Sequence, residues 1–268
     1  MLQCVDISEN NRIRLISWNL RAGAGRRVIA IQNQLKRWKP DILGFCEFRG
    51  TAPSQQLALW LNHQGYCHQI STVNTDFPAR NAMLLASRFP LRHIRVAKMP
   101  EIPERWALIE VDSPRPLRIG LMHVPNYTTP HLKYPYLDAL LEMVDKSNFQ
   151  STILMGDMNC GKRGLDEEKI QPPRFYREHD CLVGLEESGW IDCFRYLHGN
   201  RRQYSWYSHR NNGFRLDYAF CSGDLAPELK SVSYRWGRSP ENQSRRDALS
   251  DHAALIIDLK KINGDGKL

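Results

Sequence analysis

Short apolar runs rich in isoleucine, leucine and valine recur along the chain, and most are bounded by proline, glycine, serine or asparagine. Runs of this length and composition indicate β-strands. The clearest runs are IRLISWNL (13–20), DILGFCEF (41–48), NAMLLAS (81–87), RWALIEV (105–111), LRIGLMHV (117–124), STILMGD (151–157), RLDYAFCS (215–222) and AALIIDL (253–259).

Helical patterns lie between some of these strands. Over residues 28–38 apolar positions recur every three or four residues, and the following Pro40 predicts that the helix ends there. A second helix is predicted over QQLALWLNHQ, with Ser54 as its N-cap and Gly65 at its end. A third helix is predicted over residues 131–147.

The balance of strands and helices predicts the fold class. Strands outnumber helices, and many follow one another directly, which favours an α/β fold of four layers: two packed mixed β-sheets flanked by helices. A doubly wound parallel sheet fits less well, because parallel strands need a crossover helix between them. Since no repeat or linker divides the chain, we expect one domain over residues 1–268, with a frayed tail at about 260–268.

Polar side chains stand at the edge of six of the apolar runs. They are Asn19 and Arg21, Glu47 and Arg49, His123 and Asn126, Asp157 and Asn159, Asp217, and Asp251 with His252. Residues two apart on a strand share a face, so several of these form pairs. Taken singly, each is equally typical of a turn or of a satisfied buried group. Together, carboxylates, amides and imidazoles at strand ends are costly unless they bind something. Oxygen ligands of this kind suit Mg²⁺ or Mn²⁺.

The net charge of +8 adds a candidate partner. Such an excess is explained by solubility alone, or by a polyanion whose counterions are released when lysines and arginines bind it. The clustered basic pairs are Arg26-Arg27, Lys162-Arg163, Arg201-Arg202 and Arg245-Arg246. All stand in predicted loops or helix starts, so we expect them to form a basic rim at one end of the sheets.

The cysteines and the hydropathy of the chain indicate the cellular compartment in which we expect the protein. The seven cysteines are odd in number and show no C-x-x-C spacing, which argues against a zinc site and a disulfide framework. The longest apolar run is far shorter than a membrane span, and the N-terminus lacks the apolar core of a signal peptide. We therefore expect a cytoplasmic monomer with reduced thiols and no membrane association.

The order of the motifs resembles the endonuclease/exonuclease/phosphatase superfamily, the group of deoxyribonuclease I and exonuclease III. The resemblance covers about residues 13–259. The motifs that carry it are WN at 18–19, PDIL…E at 40–47, HVPN at 123–126, GDMN at 156–159, SWYSHRNNGFRLDYAFCS at 205–222 and SDH at 250–252.

The resemblance implies a metal site. In this implied site Glu47 is the main metal ligand, Asn19 stands beside Glu47, and Asp251 is an acid near the metal. The expected cation is Mg²⁺ or Mn²⁺, which neutralises the oxyanion charge that develops when water attacks a phosphodiester in line.

The resemblance also implies the catalytic residues. Asp157 orients or deprotonates the attacking water, and Asn159 binds the scissile phosphate. His252 contacts the phosphate with Asp217 as its carboxylate partner. His123 stands where deoxyribonuclease I has a histidine and relatives of exonuclease III have a tyrosine.

The C-terminal motif is similar to that of abasic-site endonucleases of the exonuclease III type. In that subgroup aromatic residues wall a pocket for a flipped-out abasic sugar, which Trp206, Phe214 and Leu216 would do here; Trp206 and Leu216 fit a plain core equally well. Extrusion is least costly where no base is paired, so such a pocket favours abasic sites.

The N-terminal half departs from that subgroup. Arg21 replaces an acid, and Glu47 is followed by Phe48 and Arg49 rather than Thr-Lys. Together with His123, the two arginines look more like deoxyribonuclease I, in which they would sit near the DNA backbone or the scissile phosphate. Asn126 is expected to bind the substrate.

Three functions therefore stay open, with DNA, and RNA as a further possibility, as the expected partner. They are an exonuclease III-like enzyme with abasic-site cleavage, a general deoxyribonuclease, and a phosphatase or phosphodiesterase for a small or lipid-linked phosphate. The basic charge and the 205–222 motif favour nucleic acid. A DNA-binding module without activity fits less well, because it would not need this complete set of acids and histidines.

Overall fold

The computed structural model describes residues 12–96, 98–169, 176–238 and 248–260. These residues form fourteen strands and five α-helices. The strands are β1 Arg12–Asn19, β2 Ile42–Phe48, β3 His68–Ser71, β4 Ala82–Ser87, β5 Leu91–His93, β6 Trp106–Val111, β7 Leu117–His123, β8 Thr152–Asp157, β9 Ile191–Asp192, β10 Trp206–Tyr207, β11 Gly213–Phe214, β12 Asp217–Cys221, β13 Leu229–Arg235 and β14 Ala254–Lys260. The helices are α1 Val28–Trp38, α2 Ala52–His63, α3 Pro130–Lys146, α4 Tyr176–Glu187 and α5 Cys193–His198.

Two six-stranded sheets and a short hairpin contain all of these strands. The first sheet has the order β13-β14-β1-β2-β4-β3, and the second has the order β5-β6-β7-β8-β12-β9. In each sheet one central pair is parallel, β1 with β2 and β7 with β8, whereas the other neighbours are antiparallel. Both sheets are therefore mixed, as predicted. Strands β10 and β11 form the separate hairpin.

The hydrophobic core lies in three layers that follow from the strand alternation. Leu15 and Ile42 of the first sheet face Ile119 and Ile153 of the second sheet in the layer between the sheets. The outer face of the first sheet packs against α1 and α2, and the outer face of the second sheet packs against α3 and α4. This arrangement of helices, sheet, sheet and helices confirms the predicted four-layer α/β sandwich.

The helix boundaries correct one prediction. Helix α2 begins at Ala52, so Ser54 lies inside the helix rather than at its N-cap. The hydroxyl of Ser54 is buried, donates to the carbonyl of Gly23 at 3.0 Å and accepts from the amide of Arg49 at 3.3 Å. Ser54 therefore ties two loops together instead of capping its helix. Helix α1 ends before Pro40, as predicted, with Lys39 in a left-handed conformation.

Several elements were not predicted, because they are short or lack a clear period. They are β3, β5, β9, β10, β11, β13, α4 and α5. The last strand includes Lys260, and the rest of the expected frayed tail lies outside the described residues. Six cysteines are free thiols in the described part of the chain. Each helix seen there is too short or too polar to cross a membrane.

The topology brings the polar strand ends to one edge of the sandwich. Since β1 runs parallel to β2, Asn19 pairs with Cys46, next to Glu47. Since β7 runs parallel to β8, His123 pairs with Asp157, and antiparallel β12 begins with Asp217 opposite the same residue. Both sheets therefore bring these polar side chains to the same edge of the sandwich.

Candidate active site

Asp157 is the buried centre of the site, only 1% exposed at the end of β8. Its strand reaches this position through Gly156, whose φ of 149° suits only glycine, and an added Cβ there would lie 1.8 Å from the carbonyl oxygen of Met122. One carboxylate oxygen of Asp157 accepts from the amide of Asn159 at 2.9 Å, and the other accepts from the side chain of Asn19 at 3.0 Å. The carboxylate is thus held rigidly.

Two histidines flank this carboxylate. The Nε2 atoms of His123 and His252 each lie 3.9 Å from the same oxygen of Asp157. His252 Nδ1 lies 2.9 Å from an oxygen of Asp217, so its proton-bearing Nδ1 is occupied and Nε2 faces Asp157. Among the described residues the second oxygen of Asp217 and Nδ1 of His123 have no hydrogen-bond partner.

Burial and mutual charge separate the proton affinities of these groups. Burial raises the pKa of Asp157 to about 7, against the opposing charge of His252. Although burial acts in the other direction, Asp217 and Asp157 raise the pKa of His252 to about 10. Burial, helped by the charges of Arg105 and His252, lowers the pKa of His123 well below its ordinary value. At neutral pH His252 is therefore an imidazolium and His123 a neutral imidazole.

Glu47 reaches the site through a local irregularity of β2. The register shifts between Cys46 and Phe48, and Glu47 has a φ of 55°. Its carboxylate accepts from the amide of Ala22 at 2.7 Å and faces the side chain of Asn19 at 3.4 Å. Simple alternation along the strand, from which its direction was predicted, therefore fails at this residue.

Asp251 is exposed and lines the same cleft as Glu47. The hydroxyl of the preceding Ser250 donates to the backbone carbonyl of Asn19 at 2.6 Å, so the loop that bears Asp251 is fixed to the end of β1. Within the described residues neither Glu47 nor Asp251 forms an ion pair with lysine or arginine. Two cleft carboxylates that form no ion pair with lysine or arginine, beside an amide, fit a hard divalent cation.

These groups open into a cleft of about 760 Å³. Ten of the predicted site residues line it: Glu47, His123, Asn126, Asp157, Asn159, Trp206, Phe214, Leu216, Asp251 and His252. Asn19 and Asp217 stand behind this lining and hold the residues in it. Arg21 is exposed, and Arg49 donates to Asn81 at 2.7 Å; neither lines the cleft.

The cleft also contains residues that the sequence did not indicate. They are Asn81, Arg105, Tyr127, Thr128, Ser208, His209, Arg210 and Asn212. Arg105 could have been found, because it precedes β6, which runs antiparallel to β7 and so begins at the edge where His123 stands. His209 and Arg210 lie in the turn between the two-residue strands β10 and β11, which are too short for a sequence pattern to reveal.

The basic pairs form a rim only in part. Arg202 donates to the carbonyl of Gly164 at 2.7 Å, which brings the Arg201-Arg202 pair next to the Lys162-Arg163 pair. Lys162 is paired with Glu186. Arg26 is exposed, whereas Arg27 is engaged by backbone carbonyls. The pair Arg245-Arg246 lies outside the described residues.

Comparison with known proteins gives the family and the fold. A sequence model of the endonuclease/exonuclease/phosphatase family matches residues 16–252. No curated protein matches the chain.

Among solved structures, the chain is similar to the 3′ phosphatase NExo from Neisseria bound to a product DNA hairpin, with a TM-score of 0.73 and 22% identity over 92% of this chain and 99% of that one. It is also similar to an AP endonuclease from Archaeoglobus fulgidus, with a TM-score of 0.72 and 18% identity over 92% and 99% of the two chains. The AP endonuclease LMAP from Leishmania major gives a TM-score of 0.70 and 17% identity over 93% and 88%. At these identities the likeness shows the fold. Because the family match includes every strand end that forms the site, the chain belongs to the endonuclease/exonuclease/phosphatase family.

Proposed function

We propose that this protein hydrolyses phosphodiester bonds of DNA with the help of a divalent cation. Membership of the family makes the chain a hydrolytic enzyme, and the finer assignment is supported by the site. The observation that carries it is the convergence of Asp157 with two histidines of opposite protonation state beside the carboxylates Glu47 and Asp251.

The cation site is assigned to Glu47 and Asp251, with Asn19 beside them, and the cation to Mg²⁺ or Mn²⁺. A second group, formed by Asp157, Asp217 and His252, is also close enough to hold a metal by distance alone. We favour the first group, because His252 Nδ1 and Asp217 already use each other as hydrogen-bond partners. When bound, the cation would supply charge neutralisation to the phosphate oxygens.

The chain's own residues would divide the remaining work. Asp157, whose pKa of about 7 lies close to a neutral operating pH, takes a proton from the attacking water. His252, kept protonated by Asp217, donates to a phosphate oxygen and stabilises the charge that develops there. Neutral His123, whose Nε2 lies 3.9 Å from the same oxygen of Asp157 as Nε2 of His252, adds a second contact. Asn159, held by its bond to Asp157, binds the phosphate.

DNA is favoured as the substrate, with abasic or end-bearing sites ahead of plain duplex. The structural neighbours are a 3′ phosphatase solved with a DNA hairpin and two AP endonucleases. Trp206, Phe214 and Leu216 line the cleft, as a pocket for an extruded sugar requires. Arg21 and Arg49, the residues that suggested a general deoxyribonuclease, lie outside its lining.

A substrate panel tests this proposal. Labelled plain duplex, abasic duplex, duplex with a 3′-phosphate, single-stranded DNA, RNA and a small phosphodiester are each incubated with Mg²⁺, Mn²⁺ or EDTA. We expect cleavage of the abasic duplex with either metal and none in EDTA, and release of the 3′-phosphate, a phosphomonoester, would be a further activity of the same site. Hydrolysis of the small phosphodiester alone, or undiminished cleavage in EDTA, would contradict the proposal.

A further inference from the structure

We propose that Arg27 is a positioning residue that holds together the two loops of the cation site. This inference rests on the proposed function, since it concerns the site assigned to Glu47 and Asp251. The first loop is formed by residues 20–25, which follow Asn19. The second loop is formed by residues 249–251, which precede His252.

The first loop has an unusual backbone. Its residues 21–25 all have positive φ angles, between 51° and 75°, although three of them are not glycine. Non-glycine residues with positive φ are strained, and they persist only when surrounding contacts enforce this conformation. Some of those contacts come from Glu47 itself, whose carboxylate accepts from the amide of Ala22 and whose carbonyl accepts from the amide of Gly23. The loop thus orients Glu47 only while it keeps this strained shape.

The side chain of Arg27 supplies contacts that Glu47 cannot supply. One terminal nitrogen donates to the carbonyls of Leu20 at 2.9 Å and Arg21 at 2.6 Å, in the first loop. The other terminal nitrogen donates to the carbonyl of Leu249, in the second loop. The planar guanidinium has five donors in a fixed arrangement, so one side chain can bridge both loops. Arg27 therefore links the loop around Glu47 to the loop that bears Asp251, in addition to the bond from Ser250 to the carbonyl of Asn19.

Arg27 can affect cation binding in two opposite ways, through its positive charge and through its hold on the two loops. The guanidinium interacts electrostatically with both Glu47 and Asp251. If charge alone mattered, its removal would strengthen the binding of a divalent cation. If its role is to position the loops, its removal separates Glu47 from Asp251 and weakens binding. Contacts that orient metal ligands in this way are typically worth about 10–100-fold in affinity.

The test measures Mn²⁺ affinity directly, by electron paramagnetic resonance of metal-free protein titrated with Mn²⁺. We expect Arg27→Met to raise the dissociation constant about 10–100-fold. Arg37→Met is the matched control, because Arg37 is an exposed arginine at the other end of α1. Its dissociation constant should equal that of the wild type.

An unchanged or smaller dissociation constant in Arg27→Met would overturn the inference. If Arg27→Met does not fold, Arg27→Lys decides, because lysine keeps the charge but offers one nitrogen in place of the two that arginine divides between the loops. Weaker Mn²⁺ binding by Arg27→Lys supports the inference, and unchanged binding overturns it. Failure of the proposed cation site is recognised separately, because Glu47→Gln would then leave Mn²⁺ binding unchanged.

Discussion

His252 Nδ1 lies 2.9 Å from a carboxylate oxygen of Asp217, and this contact turns His252 Nε2 towards Asp157. The contact also accounts for much of the raised pKa of His252. Asp217 itself lies behind the cleft lining, so it acts on a substrate through His252. The pair therefore explains how a buried histidine can remain an imidazolium next to the carboxylate that must accept a proton.

Asp217→Asn should lower activity and shift its pH dependence. If protonated His252 is the active form, the wild type keeps this form up to its pKa of about 10 and loses it above that pH. Without the Asp217 charge the pKa falls, so the alkaline limb of the profile should move to lower pH. Turnover should also fall by about 10²–10³-fold, the usual effect of losing one donor to a developing oxyanion. Measurement of kcat/KM from pH 5 to about 11, beyond the pKa of His252, checks both, and an unmoved alkaline limb would contradict the assigned role.

Glu47→Gln should abolish the metal-dependent reaction. The substitution preserves the size of the side chain but removes the charge that attracts a divalent cation. Titration with Mn²⁺, followed by electron paramagnetic resonance, should show loss of the site. Glu142→Gln is a suitable control, because Glu142 lies on α3 outside the cleft lining and pairs with Lys98 and Lys146. Equal Mn²⁺ affinity in wild type and Glu47→Gln would exclude Glu47 as a ligand.

Phe214→Ala should impair cleavage of abasic duplex more than cleavage of plain duplex. Phe214 lines the cleft and is only 3% exposed, with the ring of Trp206 at a centroid distance of 5.9 Å. Truncation of Phe214 removes part of the apolar wall that would enclose an extruded sugar. Phe89→Ala controls for destabilisation, because Phe89 is a comparably buried residue of the core between the sheets. If Phe214→Ala lowers both rates equally, the wall does not select abasic sites.

Asp166→Asn should destabilise the fold. Asp166 accepts from the guanidinium of the fully buried Arg215 at 2.6 and 3.2 Å, and from the hydroxyl of Tyr218 at 2.6 Å. Removal of one partner from a buried pair costs about 3–5 kcal/mol, and we expect the lower end of this range because Asp192 still pairs with Arg215. Asp138→Asn, which breaks an exposed pair with Arg177, should cost about 0–1 kcal/mol. Urea unfolding at pH 7 measures both, and equal effects would show that the buried network does not stabilise the fold.

The wild type and Asp166→Asn should also differ in how their stability depends on pH. Although burial opposes it, Arg215 holds the pKa of Asp166 below its ordinary value. The stability that this adds is present above the unfolded pKa of about 4 and is lost as pH falls through the folded pKa. The difference in unfolding free energy between wild type and Asp166→Asn should therefore shrink below pH 4. A difference that grows on acidification would contradict the lowered pKa.

Sequence patterns predicted the central strands and the residues at their ends, because both depend on local rules. Asp157 and Asn159 follow an apolar run in a sheet whose strand ends converge. The conformation of Glu47 could not be predicted, because it depends on a register shift against β4. Ser54 was misplaced because a serine before an apolar run resembles an N-cap. Its actual contact with Gly23 joins parts of the chain that only the fold brings together.

The cleft residues that were missed show the same limit. Arg105 stands before a predicted strand, but its position beside His123 requires the antiparallel pairing of β6 with β7. His209 and Arg210 lie in a hairpin turn that is closed by the amide of Ser208 donating to the carbonyl of Asn212 and the amide of Asn212 donating to the hydroxyl of Ser208. Arg27 was predicted to belong to a basic rim, whereas its guanidinium binds backbone carbonyls. Whether an arginine binds an external anion or a backbone carbonyl depends on tertiary contacts, which the sequence pattern does not reveal.

Single-turnover cleavage of labelled abasic duplex by Asp157→Asn is the most direct test of the central claim, that the cleft hydrolyses a DNA phosphodiester with Asp157 as the base. Asp138→Asn serves as a surface control with the same chemical change. The account predicts that Asp157→Asn lowers the rate in Mg²⁺ by at least about 10²–10⁴-fold, while duplex binding persists because the carboxylate acts in the transition state. A rate for Asp157→Asn equal to that of the wild type and of Asp138→Asn would contradict it.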